Sequence, residues 1–166
     1  MKEKIHIRQA KLQDLDAIER IELENFSEEE AIAREILKDH IKTTFLVAEC
    51  QGQILGYLEG PVRPERYLID SSFSEVEDLS QLEQGFISIT SLSIAKEAQG
   101  LGVGTLLLEA MKEIALKDNR QGINLTCHDY LIPYYEKQGF TNEGRSESQY
   151  AGEVWYNLVW ENEKLD

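Results

Sequence analysis

Gln99, Gly102 and Gly104 stand at the spacing Q-x-x-G-x-G, with Gly100, Leu101 and Val103 between them and Thr105 directly after. A glycine-rich turn that opens a helix makes an anion site. The first N–H groups of a helix have no partner within it, the dipole there favours negative charge, and glycine sets no side chain between a phosphate and the backbone. The spacing sets this turn apart from two other phosphate turns. A dinucleotide fingerprint counted from Gly100 needs a glycine where Thr105 stands, and a mononucleotide loop needs Gly-Lys where Val103-Gly104 stands. The glycines alone are equally consistent with a strand–helix junction kept tight for packing.

The elements around the turn position it. Phe86, Ser88, Thr90, Leu92 and Ile94 alternate with Ile87, Ile89, Ser91 and Ser93, which predicts one strand with those two faces. Leu106, Leu107, Ala110, Met111, Ile114 and Ala115 recur at helical spacing just after the turn. Upstream, residues 5–8 read as a strand and residues 10–24 as a helix with Leu12, Leu15, Ala17, Ile18 and Ile21 on its apolar face. Ser27 followed by Glu30 is a capping-box pattern that predicts a second helix to about Lys38. Residues 44–50 and 54–59 form a hairpin around Gln51-Gly52-Gln53, and residues 60–84 read as a long loop with a helical turn near 74–82. Downstream come a strand at 122–127, a short helix at 130–138 stopped by Gly139, and strands at 140–143 and 154–160.

The glycine turn and this element order together resemble the GNAT N-acetyltransferase superfamily, over nearly the whole chain. In that family [Q/R]-x-x-G-x-[G/A] follows a strand, opens a helix and binds the pyrophosphate of acetyl-coenzyme A. A second stretch, Pro133-Tyr134-Tyr135-Glu136-Lys137-Gln138-Gly139-Phe140, is similar to the family's short-helix motif. Residues 127–135 and 18–31 further resemble the arylalkylamine N-acetyltransferase branch, with Ser27 where bacterial relatives commonly carry proline. The resemblance implies one α/β (α+β) domain over residues 1–166, a mixed central sheet of about seven strands splayed at its central strand, and about four flanking helices.

The implied chemistry assigns roles. Acetyl-coenzyme A is the expected cofactor, held by Gln99, Gly100, Leu101, Gly102, Val103, Gly104 and Thr105 at the pyrophosphate. Backbone groups of Leu92, Ser93 and Ile94 would pair with the pantetheine amides as a further strand would. Tyr135 matches the tyrosine that donates a proton to the leaving thiolate; the plain alternative is an aromatic that packs the short helix. The histidine pair that relays the substrate proton in animal arylalkylamine enzymes is absent, with Ser88 and Thr90 at those positions, either ordering waters toward the amine or lining a polar face. Glu30 matches a position that supplies the base in insect relatives, and equally serves as the cap partner of Ser27. Cys127, His128 and Asp129 alternate in an extended segment and so do not form a nucleophilic triad, and no histidine has metal-ligand spacing.

Composition bounds the rest. The 166 residues suffice for one domain with a core, and 42% hydrophobic with 29% charged content marks a globular chain. Thirty-one acidic against 17 basic residues give a net charge of −14, which argues against a nucleic-acid partner and favours a cationic substrate. No apolar run reaches membrane-spanning length, no leader is visible at the N-terminus, and two cysteines make no disulfide framework, so a cytoplasmic location is expected. The function implied is acetyl transfer to a primary amine by direct attack in a ternary complex. The acceptor is a small aralkylamine or polyamine; the alternatives are a protein lysine or N-terminal amine, and a non-catalytic acyl-coenzyme A sensor. The protein would act as a monomer or homodimer.

Overall fold

A computed structural model describes residues 4–27, 31–68, 81–148 and 152–165. Nine strands form two sheets among these residues. The first holds β1 (His6–Gln9), β2 (Phe45–Cys50), β3 (Gln53–Glu59) and β6 (Ser91–Ile94), in the order β1-β2-β3-β6 and antiparallel throughout. The second holds β4 (Val62–Arg63), β5 (Phe86–Ser88), β7 (Gly122–Cys127), β8 (Thr141–Arg145) and β9 (Tyr156–Glu161), in the order β4-β5-β7-β9-β8. Helices α1 (Leu15–Asn25) and α2 (Arg34–His40) pack together, with α1 against β3 and β6. Helix α3 (Val103–Lys117) packs against β2, β3, β6 and β7, and so bridges the sheets, while α4 (Ile132–Lys137) lies against β8 and β9.

The core sits under α3. Val103, Leu107, Leu108, Met111 and Ala115 are buried, and burying a side chain of the size of Leu or Met contributes about 1.5–3 kcal/mol. The apolar stripe is rotated from the one expected, because Leu106 is exposed and Leu108 takes its place inside. Gly60 permits the close fit: a β-carbon there would fall 2.6 Å from Ile87 Cγ2 and 3.0 Å from Met111 Cε.

The central strand departs most from expectation. Instead of running unbroken from Phe86 to Ile94, it is shared between the sheets. Glu59 pairs with Ser91 and Val62 with Ile87, so Gly60 and Pro61 face three residues, Ser88, Ile89 and Thr90. One residue is extra, which makes a β-bulge. The N–H of Ser88 bonds Pro61 O on one side of it and that of Thr90 bonds Glu59 O on the other. A one-residue shift reverses which face each side chain takes. Thr90 and Ser91 therefore both turn to buried carboxylates, Thr90 to Glu59 and Ser91 to Glu22, and the alternation expected over 86–94 fails at this point.

Other expectations are corrected at the ends of elements. Residues 12–14 form a separate 3-10 turn before α1, which leaves Leu12 exposed. The second helix starts at Arg34 with Ala33 as its cap, so it does not begin at Ser27. Glu28 to Glu30 lie outside the described residues, as do the acidic stretch Glu75–Asp78 and most of the helical turn expected near it.

Candidate active site

The two sheets part at a definite point. β5 and β7 run parallel, with Ser88 beside Asn124, and the last bond between them is Ile89 N–H to Asn124 O at 2.8 Å. Beyond it β6 turns toward β3 while β7 continues with β9. The wedge between them opens into a cleft of about 820 Å³. Ile89, Thr90, Ser91 and Leu92 line one side and Leu125, Thr126 and Cys127 the other, with Glu22, Phe26 and Tyr135 among the remaining walls.

Because β6 is the edge of its sheet, half of its backbone groups face the wedge. Ala95 N–H bonds Leu55 O, and alternation from that pair assigns the groups of Ser93 and Ser91 to β3 and those of Leu92 and Ile94 to the open side. Ser93, expected to present its backbone to the cofactor, instead spends it on Tyr57, and its hydroxyl accepts from Asn25 Nδ2 at 2.8 Å. Asn25 Nδ2 also caps Ile94 O at 2.7 Å. That leaves the N–H and C=O of Leu92 and the N–H of Ile94 as the free strand edge.

The glycine turn lies just beyond. Gly100 and Gly102 have φ of +84° and +80°, a left-handed backbone that glycine adopts without strain, and nothing lies within 4 Å of a β-carbon built on either. Gly102 caps α3 without a side-chain bond, and the first helical bond runs from Leu106 N–H to Gly102 O. The N–H groups of Val103, Gly104 and Thr105 therefore face outward. Leu101 is exposed beside them. Gln99 ties the turn down through its side chain, donating to Asn25 Oδ1 at 3.3 Å and Ile94 O at 3.4 Å. The Thr105 hydroxyl accepts from Gln138 Nε2 at 3.0 Å, which fixes it to α4. Open space beside two left-handed glycines, three outward N–H groups and a free strand edge in line with them fit a pyrophosphate followed by a strand-like amide chain.

Tyr135 is buried and lines the cleft, edge-on to Tyr134 and Phe140. Burial pushes its phenol well above the ordinary range, so it stays protonated. The Cys127 thiol beside it is pushed up to about 12, first by burial and then by the charge of Asp129, so it is no thiolate nucleophile.

The carboxylate the sequence did not single out is Glu22. It lines the cleft from the last turn of α1 and is 1% exposed. Tyr57 OH donates to its Oε1, Ser91 Oγ lies 3.4 Å from the same oxygen, and Ile32 N–H donates to Oε2 at 2.8 Å. Burial raises its affinity for a proton, partly opposed by the Tyr57 bond and assisted by the nearby charge of Glu59. A second buried cluster adjoins it: Glu59 pairs with His40 Nδ1 and accepts from Thr90 Oγ1. Ser88, expected beside Thr90, is buried away from the cleft walls. Glu30, the expected base, lies outside the described residues. At the mouth, His128 stacks on Trp155 at 4.3 Å and on Tyr130 at 5.3 Å, with Asp129, Glu153 and Arg145 around them. No cluster of potential metal ligands occurs among the described residues, and no helix among them is long and apolar enough to cross a membrane.

Residues 11–140 match the Acetyltransferase (GNAT) family. The chain belongs to that family and is an acetyl-coenzyme A-dependent N-acetyltransferase. No curated protein matches the sequence. Among solved structures it is similar to Naa50 from Arabidopsis thaliana in complex with the bisubstrate analogue CoA-Ac-MVNAL, at TM-score 0.73 and 15% identity over 95% of this chain and 99% of that one. PaiA N-acetyltransferase from Thermoplasma acidophilum in complex with coenzyme A gives TM-score 0.67 and 18% identity over 96% and 99% of the two chains. The loading GNATL domain of CurA from Lyngbya majuscula gives 0.76 and 14% over 95% and 98%. At these identities the likeness is one of fold.

Proposed function

We propose that the acceptor is a small primary amine, aralkyl or polyamine, and that Glu22 takes its proton while Tyr135 protonates the leaving sulfur. The observation that carries this reading is Glu22, a buried carboxylate on the cleft wall whose burial raises its affinity for a proton. An alkylamine arrives as ammonium and must lose a proton before it attacks. Glu22 attracts the cation and accepts that proton because its own affinity for one is raised. When bound, the cofactor supplies the acetyl thioester. Val103, Gly104 and Thr105 N–H groups hold its pyrophosphate, and Leu92 and Ile94 align the chain that leads into the wedge. Tyr135 delivers a proton at the sulfur and recovers one from the nitrogen. Of the three hydrogens on the incoming ammonium, one remains in the amide, one ends on the thiol, and one leaves through Glu22 to solvent.

The mouth supports the substrate class. The Trp155–His128–Tyr130 stack offers a flat apolar wall, and Asp129, Glu153 and Glu22 outnumber Arg145 among the charged residues lining the cleft. An aromatic amine uses the wall and a polyamine the carboxylates. The arylalkylamine branch suggested by residues 18–31 and 127–135 belongs to this same proposal. A lysine or N-terminal amine of a protein is the second reading, favoured by the peptide-bearing analogue in the Arabidopsis neighbour. Glu22 supplies the basic group whose lack would favour a non-catalytic sensor.

Thiol release from acetyl-coenzyme A, measured with tyramine, spermidine, glutamate and a lysine peptide at low and high salt, tests the assignment. Tyramine or spermidine should lead, with a rate that falls as salt rises. Preference for glutamate or for the peptide would refute the substrate class.

A further inference from the structure

The bulge sends two neighbouring hydroxyls to two different buried carboxylates. Ser91 turns to Glu22, and Thr90 turns to Glu59. Glu59 is 0% and His40 2% exposed, and neither lines the cleft, yet Thr90 does. Thr90 is fastened to Glu59 twice, by its backbone N–H to Glu59 O at 3.0 Å and by its hydroxyl to Glu59 Oε1. The other carboxylate oxygen is engaged by His40 Nδ1. Thr90 Oγ1 donates to Glu59 Oε1, so its hydroxyl hydrogen is committed there and only oxygen lone pairs remain for the cleft. Glu22 has a similar vacancy. Its Oε1 is shared by Tyr57 and Ser91, and its Oε2 takes one N–H, from Ile32, with one further lone pair to offer.

We propose that Thr90 Oγ1 is a second N–H acceptor for the incoming amine, beside Glu22, and that Glu59 and His40 are positioning residues that keep the Thr90 hydroxyl turned away from it. The inference rests on the amine acetylation proposed above. A neutral primary amine has two N–H groups and one lone pair. With one N–H on Thr90 and one on Glu22, the lone pair is left for attack. A secondary amine has a single N–H and leaves one of the two buried oxygens without a partner, which disfavours it. The pair of acceptors therefore selects primary amines, by hydrogen-bond count as well as by bulk.

Calorimetric binding to the coenzyme A complex, which involves no chemistry, tests this with tyramine and N-methyltyramine in a buffer basic enough that both amines are neutral. Thr90→Val should weaken tyramine roughly tenfold, the size of one hydrogen bond, and change N-methyltyramine by less than about twofold. Thr90→Ser should restore tyramine to within about threefold. Glu59→Gln, whose amide presents a donor as readily as an acceptor, should reproduce the loss of primary-amine preference, and should raise KM in turnover more than it lowers kcat. Coenzyme A affinity serves as the control for folding. Unchanged tyramine binding in folded Thr90→Val overturns the proposal, and Thr90→Ser behaving like Thr90→Val overturns it too. If the wild-type complex binds tyramine as described but releases no thiol, the catalytic reading fails while this one stands. If the wild-type complex binds no tyramine, both fail.

Discussion

The hydroxyl of Tyr134 occupies the place where Gly104 lacks a side chain, 2.8 Å from where its β-carbon would be. It lies 3.4 Å from the Thr105 hydroxyl, and the next ring atom is 3.8 Å from the same Gly104 position. The first turn of α3 and the helix that carries Tyr135 therefore meet at the Tyr134 oxygen, beside the Gln138–Thr105 bond.

A compensating pair of substitutions follows. Gly104→Ala should force Tyr134 aside, cost about 1–3 kcal/mol in stability and raise the KM for acetyl-coenzyme A. Tyr134→Phe removes the offending oxygen, so the double variant should recover most of both losses. Thermal melts and steady-state kinetics on the three variants check this, and additive losses would show that the contact is not the cause.

Gly102→Glu should abolish coenzyme A binding in a folded protein. The new carboxylate would stand where three backbone N–H groups converge, and the φ of +80° adds strain for any L side chain. Calorimetry with coenzyme A reads the loss. Retained affinity would overturn the placement of the pyrophosphate.

Tyr135→Phe should lower kcat roughly 10²–10⁴-fold with little change in coenzyme A affinity, because the ring that packs on Phe140 remains. Burial holds the phenol protonated well past its ordinary range, so the wild-type profile should show no alkaline fall due to Tyr135 at moderately basic pH. A near-normal rate in the variant would reduce Tyr135 to packing.

Glu22→Gln should remove the acid limb of the pH–rate profile and slow turnover roughly 10²-fold or more. Its effect on stability has the opposite sign. The folded state holds the Glu22 proton more tightly than the unfolded chain does, so the carboxyl's favourable contribution is present below the ordinary carboxylate pKa. It is lost as pH rises through the raised folded value. Glutamine escapes that loss, and the variant should melt no lower than wild type at pH 8. A large drop in melting temperature there would mean that Glu22 is structural.

Asp14→Asn should destabilise at neutral pH by about 1–3 kcal/mol. Arg8 grips both Asp14 oxygens, at 2.8 and 2.9 Å, and Lys11 N–H adds a third bond. These bonds, the Arg8 pair foremost, hold the carboxyl below its ordinary range, so its contribution is present above the unfolded value and fades as pH falls through the folded one. Melting curves of the two proteins should converge in strong acid.

Much of this was legible in sequence because the signals were local. The glycine turn, the strand at residues 122–127 and the hairpin around Gly52 each declare themselves within a few residues. The bulge does not, since one extra residue exists only relative to a partner strand, and Glu59 stands 31 positions from Thr90. Glu22 was hidden for the same reason. Its partners lie 10, 35 and 69 residues away, and in the chain it is one acid among many on an amphipathic helix. The resemblance of residues 18–31 to the arylalkylamine branch pointed to Glu30 instead, because a motif is a local pattern and a buried cluster is not.

The hydrogen bond from Ile89 to Asn124 also makes the wedge a ruler. It marks the last point where the sheets are joined; Leu92 follows three residues on and Ile94 two beyond that, a step of about 6.6 Å along a strand. Distance from Ile94 to the vertex is therefore counted in whole residues. A single inserted residue in β6 would hand the edge to Ser93 and turn Leu92 and Ile94 toward β3, moving the zero of the scale as well as its length. The depth at which a chain entering from the turn must stop is set by sheet register before any side chain in the cleft is consulted.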